Sequence, residues 1–269
     1  MHFAGDRKRS LRLRLCFQVP WVAALPWEYL YSAQHNDFVT LAFDIPIVRQ
    51  MPNQTHSRAL IVRPPLRILS MVADPDNLQP IDVDAERAAI DRSVAPLVSR
   101  GLVELRWVKG GSWRELQRVL RTEIWHVLHF VGHGSFDRIA DKGIVYFCDD
   151  RGKSDPHNST ELNRILNKSK SLRLVVLNAC EGASIDNQDI FSSCAATLVR
   201  GGIPAVVAMQ YVITDRAATE FARSFYEALA DGLPVDTALG DARRAISVAV
   251  TNTQAVSYTH LTLPTNREV

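Results

Sequence analysis

The sequence predicts an α/β protein whose core is a mostly parallel sheet flanked by helices on both faces. Unbroken apolar runs of about six residues recur along the chain, and each is typical of a strand that is covered on both sides. Segments of helical periodicity separate these runs, and strands that alternate with helices form parallel sheets with right-handed crossovers. With 269 residues and 46% hydrophobic content, the chain is large enough to bury a sheet of about six strands.

The N-terminal part of the chain is less regular than the rest. Leucine alternates with arginine over residues 11–15, which predicts a half-buried strand with a solvated arginine face. Residues 19–30 form an apolar connection that prolines interrupt. Residues 50–65 have the proline, asparagine and serine content of a loop or linker.

From residue 66 onward, predicted strands and helices alternate. The predicted strands cover residues 66–73, 102–108, 125–131, 143–147, 172–177 and 204–209. The first predicted helix starts near Asp82 or Asp84, and the second runs from Ser112 to Arg121. Two further helices are predicted over residues 160–166 and 190–200. The last two are one between the cap Thr214 and Gly232, and one over residues 235–248. Ser112 with Glu115 three residues later is a capping box, and Gly101 is a typical helix end. We expect the strands at 126–131 and 172–177 to be adjacent and parallel.

The apolar pattern stops at about Thr251. Tyr258–Val269 has no period and does not resemble the preceding sequence, so we expect a foreign tail, such as translated linker or cloning sequence, in place of the native C-terminus. We expect residues 257–269 to be disordered or loosely attached, so that their removal leaves the melting temperature nearly unchanged. The predicted organisation is an N-terminal remnant over residues 1–10, one domain over 11–250 and a tail over 251–269.

Composition argues against several classes of protein. A formal net charge of +2 gives no strong attraction to nucleic acid or anionic lipid, and no segment approaches the ~20 apolar residues of a membrane helix. The basic N-terminus lacks the apolar stretch of a signal peptide, so we expect a cytoplasmic protein. The four cysteines show no CxxC spacing, which argues against disulfides and zinc, and no glycine-rich phosphate loop follows a strand. We therefore expect no metal, no cofactor, and neither a nucleic-acid nor a membrane partner.

Two candidate catalytic side chains lie where predicted strands end. One apolar run ends at His133, which stands between two glycines, and a later run ends at Cys180. Ligands bind at the carboxyl ends of strands in open α/β sheets, and a Cys with a separately placed His is a thiol nucleophile with its base. The segment Asn178–Gly182 is similar to the caspase signature, which also has its His about 50 residues upstream. A cysteine peptidase is therefore the leading hypothesis.

Several separated motifs, in the right order, resemble those of a CHAT domain, the caspase-HetF-associated-with-TPR family. They are Pro26-Trp27-Glu28, residues 126–134, residues 172–183, and residues 195–216 with their Gly-Ile-Pro-Ala-Val-Val-Ala-Met-Gln core. The resemblance covers roughly residues 10–250. It implies a caspase-like fold and peptide-bond hydrolysis by a Cys/His dyad, as in the caspases and separases that the family resembles.

The resemblance implies a role for each motif residue. Cys180 is the implied nucleophile, which attacks the scissile carbonyl as a thiolate, and His133 is the implied acid and base. Backbone N–H groups of Gly134 and Cys180 are the implied oxyanion donors. The family also implies a protein or peptide substrate and regulation by fused or partner modules such as TPR repeats or sensors. A catalytically silent CHAT-like scaffold for interaction or signalling is the alternative.

The residues that select the substrate are less well defined. In caspase-like enzymes the residue two before the nucleophile lines the S1 pocket, and the resemblance places that role on Asn178. This side chain is neutral, so neither an acidic nor a basic P1 preference transfers. Asp74 and Asp76 follow the 66–73 strand and are candidates for an acidic wall of the substrate site. The sequence Asp-Pro-Asp-Asn at this point is also typical of a polar turn.

The remaining histidines near the site and the other cysteines are expected to be structural. His126 and His129 are an odd number of positions apart and face opposite sides of a strand, which argues against a metal site. Cys16, Cys148 and Cys194 lack a partner histidine motif, so we expect them to be small buried hydrophobic residues.

Overall fold

The structure is a computed structural model. It describes residues 12–17, 22, 25–42, 45–51, 62–179, 190–209, 215–249 and 259–264. Its strands are β1 (Leu13–Cys16), β2 (Tyr31–Ser32), β3 (Asp37–Phe38), β4 (Ile47–Met51), β5 (Leu66–Ala73), β6 (Val103–Trp107), β7 (Val127–Gly132), β8 (Gly134–Asp137), β9 (Lys142–Cys148), β10 (Ser154–Asn158), β11 (Leu174–Ala179), β12 (Ala205–Met209) and β13 (Thr259–Pro264). Its α-helices are α1 (Val83–Ser99), α2 (Trp113–Thr122), α3 (Ser159–Leu166), α4 (Ile190–Arg200), α5 (Asp215–Ala230) and α6 (Val235–Ala249).

One large sheet contains eight strands in the order β1-β4-β13-β12-β11-β7-β5-β6. The five strands from β12 to β6 are all parallel, and the helices flank them. Strand β13 runs antiparallel to β12, and β4 and β1 continue the sheet parallel to β13. The predicted mostly parallel α/β fold is confirmed. The two strands predicted at 126–131 and 172–177 are β7 and β11, which are adjacent and parallel.

Side chains of the central strands alternate between two hydrophobic cores, one on each face of the sheet. Leu128 and Phe130 of β7 belong to a core that includes buried residues of α2, α3 and α4, such as Leu198. Val127 belongs to the opposite core, with buried residues of α1, α5 and α6 such as Phe225. Full burial of each large apolar side chain stabilises the fold by about 1.5–3 kcal/mol. This two-sided burial explains why the central strands are continuous apolar runs in the sequence.

Helices α1 and α2 begin where the sequence predicts a capping residue. Asp82 accepts a 2.9 Å hydrogen bond from the backbone N–H three residues later, and Ser112 accepts an equivalent bond of 3.3 Å. Glu115 pairs with Arg118, so the structure forms the Ser112 half of the predicted capping box. Gly101 follows α1 with a φ of +70°, a left-handed conformation that favours glycine.

No helix in the described part of the chain is long and apolar enough to cross a membrane.

A second, smaller sheet follows His133 directly. Its strands are arranged in the order β10-β9-β8, and β9 pairs antiparallel with both neighbours. The sequence predicted β9 over 143–147 but neither of its partners. The sequence of β10, Ser-Asp-Pro-His-Asn, contains no apolar residue other than proline, so it carries no strand signal.

The turn between β9 and β10 is joined to the loop that follows β5. The backbone N–H of Asp76 donates to the carbonyl of Gly152 over 2.9 Å. The side chain of Asn77 accepts from the backbone N–H of Ser154 over 2.7 Å and donates to its hydroxyl over 2.9 Å. These bonds hold the 74–82 loop beside the carboxyl ends of the parallel strands.

Buried charges attach the N-terminal strands to the rest of the molecule. Arg49 of β4 donates to both carboxylate oxygens of Glu28, over 3.1 and 2.7 Å, and both residues are buried. Arg12, just before β1, pairs with Asp236 in the first turn of α6. Removal of one member of a buried pair strands the other charge in the interior, which is strongly destabilising. Glu28 of the Pro-Trp-Glu motif is therefore a structural residue.

The C-terminal segment is part of the large sheet. Strand β13 pairs with Val206–Met209 on one side and with Arg49–Met51 on the other. The prediction that residues 257–269 are disordered or loosely attached is therefore wrong for this strand. Leu261 and Leu263 do show the strand period of two, but a repeat of this length is too short to identify a strand without its partners. The domain boundaries at residues 10 and 250 stay predictions.

Candidate active site

Three adjacent parallel strands end at the same level of the sheet. Gly132, the last residue of β7, pairs with the last residue of β5 on one side and with the last residue of β11 on the other. The next residues along the three strands are Asp74, His133 and Cys180. Paired strands lie about 4.8 Å apart, so the three strand ends that precede these residues lie side by side. Cys180 itself lies outside the residues that the structure describes.

His133 is buried at the junction of the two sheets, with 5% of its surface exposed. Its backbone carbonyl accepts a 3.1 Å hydrogen bond from the N–H of Tyr146 in β9. Its Nε2 atom is buried and has no hydrogen-bond partner among the described residues. The ring therefore presents a nitrogen that can exchange a proton with a neighbouring group at the carboxyl edge of the sheet.

The surroundings of His133 tune its protonation. Burial lowers the pKa of His133 below its usual value of 6.5, while the Asp74 carboxylate and a hydrogen bond to the backbone of Gln79 raise it. A neutral imidazole can accept a proton, and these two partners stabilise the protonated ring that results. Sequence reasoning missed Gln79, because a contact through the backbone leaves no signal in the residue type.

The two acidic residues of the 74–82 loop have different surroundings. Asp74 lies near His133, and its Oδ1 accepts a 3.0 Å hydrogen bond from the N–H of Ile81, which closes the loop. Asp76 has a 65% exposed side chain and lies 3.7 Å from the ammonium group of Lys153 in the β9–β10 turn. The structure therefore brings Asp74 to the candidate dyad and Asp76 to the turn. An acidic wall for the substrate stays a prediction.

The glycines on either side of His133 meet different requirements. A Cβ atom at Gly132 would lie 2.7 Å from the ring of Phe130 and 3.3 Å from the carbonyl of Ala73, so the buried Phe130 ring of the same strand leaves no room for a side chain. Gly134 is buried, begins β8 and pairs with Val145 of β9. Its backbone N–H directly follows His133, which is the position predicted for an oxyanion donor.

Asn178 is directed into the interior. It is 5% exposed and lines a small cavity together with His129, Met209 and Phe221, on the face of the sheet that α1 and α5 cover. Its Oδ1 atom is buried without a hydrogen-bond partner among the described residues. The structure therefore brings Asn178 together with His129, and its predicted role in the S1 pocket stays a prediction.

The two upstream histidines are structural, as predicted. His126 Nδ1 accepts a 3.0 Å hydrogen bond from the N–H of Arg67. His129 Nδ1 lies 2.6 Å from the hydroxyl of Tyr226, and burial lowers the pKa of His129 to about 4. Within the described ranges, no three His, Cys, Asp or Glu side chains are grouped so that they could hold a metal ion.

The cysteines outside the dyad differ from one another. Cys194 is buried, and burial raises its pKa to about 12, as expected for a small hydrophobic residue. The same expectation is wrong for Cys16, which is exposed because its side chain lies on the outer face of an edge strand. Cys148 is half-buried at the end of β9; burial raises its pKa, and a hydrogen bond with the backbone of Asp74 lowers it. Cys148 therefore lies near Asp74, which its isolated position in the sequence does not indicate.

Comparisons with known proteins agree with this geometry. A family model for the CHAT domain matches residues 3–257. Comparison with curated protein sequences gives no match. Among solved structures, the Arg-specific cysteine proteinase gingipain R aligns with 82% of this chain and 54% of its own chain, at 13% identity and a TM-score of 0.52. Saccharomyces cerevisiae separase in its complex with securin aligns with 90% of this chain and 14% of its own, at 15% identity and a TM-score of 0.48.

A further neighbour is the Drosophila initiator caspase Dronc, which aligns with 78% of this chain and 84% of its own, at 11% identity and a TM-score of 0.47. At these identities, the likeness concerns the fold alone. The chain spans about half the length of gingipain R and a small part of separase. The family model, in contrast, extends over nearly the whole sequence. The chain therefore belongs to the CHAT domain family and has a caspase-like fold.

Proposed function

We propose that this protein is a cysteine endopeptidase in which Cys180 is the nucleophile and His133 transfers the protons. The observation that carries the proposal is the common level at which β5, β7 and β11 end. Because of it, Asp74, His133 and Cys180 are the first residues beyond three adjacent strand ends. Reacting groups in such an arrangement need little further ordering before they meet a substrate.

The reaction that we propose has two stages. The Cys180 thiol gives its proton to His133 Nε2, and the thiolate attacks the carbonyl carbon of the scissile peptide bond. Backbone N–H groups of Gly134 and Cys180 donate to the oxyanion. The C–N bond then breaks, and the amine leaves with the proton from His133. Water next attacks the thioester carbonyl, which releases a carboxylic acid and returns the proton to the sulfur.

The electrostatics of His133 support both of its proposed roles. Burial lowers its pKa, so the ring is neutral near pH 7 and Nε2 can accept a proton. Asp74 and the Gln79 backbone stabilise the imidazolium during the short time that it exists. The same loop therefore orients the base and supports its charge.

We further propose a protein or peptide substrate, a cytoplasmic site of action, and control by a fused or partner module such as TPR repeats. The support for control is the family to which the chain belongs. Such a partner would act, as in other switchable proteases, on the chain segments after Gly134 and Gly182. We therefore expect the full-length protein to cleave substrate only when its activating module is engaged.

Thiol reactivity tests the dyad without knowledge of a substrate. At neutral pH we expect iodoacetamide to modify Cys180 faster than Cys16, Cys148 and Cys194, and His133→Ala to slow that reaction. Cys16→Ala is the matched control, since it removes an exposed thiol and should leave the rate at Cys180 unchanged. Equal modification of all four thiols in the folded protein would argue against an activated nucleophile.

Cleavage by the activated full-length protein separates the enzyme from a scaffold. We expect Cys180→Ala to abolish cleavage of a responsive substrate protein while the fold is kept, because only a small side chain is lost. The readouts are gel analysis of the substrate and the circular dichroism of the variant. Equal biological output with and without the thiol would favour the catalytically silent scaffold.

A further inference from the structure

Two buried polar atoms lack partners at one place in the interior. They are Nε2 of His129 and Oδ1 of Asn178, and neither has a hydrogen-bond partner within the described residues. Both side chains line the same cavity of about 10 Å³, whose other walls include Ile90, Met209 and Phe221. Buried polar atoms are rarely left without a partner, and about 10 Å³ is the smallest volume that accommodates one water molecule.

The hydrogen-bond directions around this cavity are determined by the neighbouring tyrosine. The hydroxyl of Tyr226 in α5 lies 2.6 Å from Nδ1 of His129, and both side chains are buried. Burial keeps the His129 ring neutral, with a pKa of about 4, so the ring carries a single N–H. If Tyr226 donates to Nδ1, the ring proton is on Nε2 and points into the cavity. A water molecule there accepts from Nε2 and donates to Oδ1 of Asn178, which satisfies every atom.

We propose that one internal water joins His129 to Asn178, and that the resulting chain of Tyr226, His129, water and Asn178 positions the strand end from which Cys180 follows. Asn178 lies two residues before Cys180, with only Ala179 between them. The hydrogen-bonded chain thus links helix α5 to the last two residues of β11, which directly precede the nucleophile. Its catalytic consequence rests on the proposed peptidase function, whereas the hydrogen-bonded chain itself does not.

The cavity lies beside a larger space between two helices. Glu86 and Ala89 of α1 line it, and the same two residues line a wider cleft of about 260 Å³ between α1 and α5. The two shared residues therefore place the cavity next to this cleft.

This arrangement assigns Asn178 a positioning role instead of contact with the substrate. An amide that holds the strand end affects how often the Cys180 sulfur is correctly placed, and hence the rate of its reactions. An amide in the S1 pocket would instead affect which P1 side chain is accepted and the KM for it. The two roles therefore predict different measurements on the same variants.

A matched pair of substitutions at Asn178 provides the test. Asn178→Thr keeps an oxygen that can bond the water, whereas Asn178→Val has the same shape without it. In the full-length protein we expect Val to slow alkylation of Cys180 about tenfold and Thr to change it less than about twofold. Ser93→Ala is the control, because Ser93 donates to the Thr219 carbonyl over 3.1 Å at the same helix interface without touching the cavity. Its alkylation rate should match that of the unmodified protein.

A double variant tests whether Tyr226, His129, the water and Asn178 act as one hydrogen-bonded unit. Tyr226→Phe alone should slow alkylation as much as Asn178→Val, and the two together should slow it no further, because each breaks the same chain. The proton of His129 Nε2 should also show magnetisation transfer from a bound water in NMR spectra, and lose it in Asn178→Val. Multiplicative effects of the two substitutions, or equal rates for Thr and Val, would overturn the proposal. With an active substrate assay, a changed P1 preference at unchanged kcat would assign Asn178 to the S1 pocket instead.

These readouts distinguish this proposal from the proposed function. Alkylation and NMR report on the hydrogen-bonded chain even in a protein that cleaves no peptide bond. The hydrogen-bonded chain can be detected while Cys180→Ala leaves the biological output unchanged. In that case the proposed peptidase function is wrong, and the proposed hydrogen-bonded chain is supported.

Discussion

Two buried histidines of one strand segment differ in almost every property that decides function. His129 lies inside β7 and His133 lies just beyond its end, and burial lowers the pKa of both. His129 has no charged group that restores its pKa, and its Nδ1 is bonded to Tyr226. His133 has Asp74 and the Gln79 backbone, which partly offset the effect of burial.

The comparison shows that burial alone does not make an acid–base catalyst. A histidine enclosed by apolar side chains stays neutral over the whole physiological range and acts as a hydrogen-bonding element of the core. The histidine at the carboxyl edge of the sheet also has little exposed surface, but it is less deeply enclosed, and loops contribute an acidic and a carbonyl partner there. The position along the strand, and not the residue type, therefore separates the two environments.

Replacement of each histidine by alanine should show the largest difference. We expect His133→Ala to lower kcat/KM of the activated protein by about 10³-fold, since acid–base groups contribute 10²–10⁴, and to cost about 1 kcal/mol of unfolding free energy. His129→Ala should cost about 2–3 kcal/mol, because it leaves the Tyr226 hydroxyl unpaired beside a cavity. Urea unfolding and a peptidase assay on both variants measure this. A similar loss of activity in the two variants would show that His129 and His133 do not differ in their importance for the reaction.

The change of unfolding free energy with pH should come more from His129, in the interior, than from His133, at the edge of the sheet. The pKa of His129 is about 4 in the folded protein and 6.5 when unfolded, so the unfolded chain binds more protons below pH 6.5. Its contribution is complete above pH 6.5 and is lost as the pH falls, by roughly 3 kcal/mol at pH 4.

Urea unfolding of the unmodified protein and of His129→Gln at several pH values measures this contribution. Glutamine can still bond Tyr226 but does not titrate, so the difference between the two proteins should shrink steadily from pH 6.5 to pH 4. A constant difference over that range would mean that His129 is not held neutral by the fold.

Asp74→Asn should give the smallest effect, and only on the edge histidine. The Asp74 carboxylate raises the pKa of His133, so its neutralisation should lower that pKa further. NMR titration of both rings measures the shift, and the acid limb of the pH–activity profile should move to lower pH. His129 is the internal control. A shift of the same size at both histidines would indicate a general change of structure instead of a local charge effect.

The parallel half of the fold was predictable because its strands are buried on both faces. Strand β5 is found over the predicted residues 66–73, and β7 and β11 are shifted by about two residues toward their carboxyl ends. The shift occurs because Gly132, Asn178 and Ala179 extend the ladder without adding to the apolar run. A ladder depends on backbone pairing, which a pattern of side chains reports only indirectly.

The rest of the fold depends on partners that are remote in sequence. The sequence of β4 is not a continuous apolar run, and that of β10 is polar. Each of these strands therefore depends on pairing with its neighbours. The same applies to the two histidines. Strand parity predicted a structural His129, but its partner Tyr226 and the Gln79 partner of His133 follow from tertiary contacts.

The position of β13 has a consequence for the order in which the chain folds. Of the strands in the described residues, β1 and β4 leave the ribosome before their sheet neighbour β13, which is made after all the others. Until then β12 has an open edge, and the N-terminal strands are held to the helices by contacts such as Val48 in the core with α5 and α6, and Arg12 with Asp236. The first strands made are thus the last to be joined to the sheet, and the interval between the two events is when this chain is most exposed to chaperones, proteases and its own aggregation.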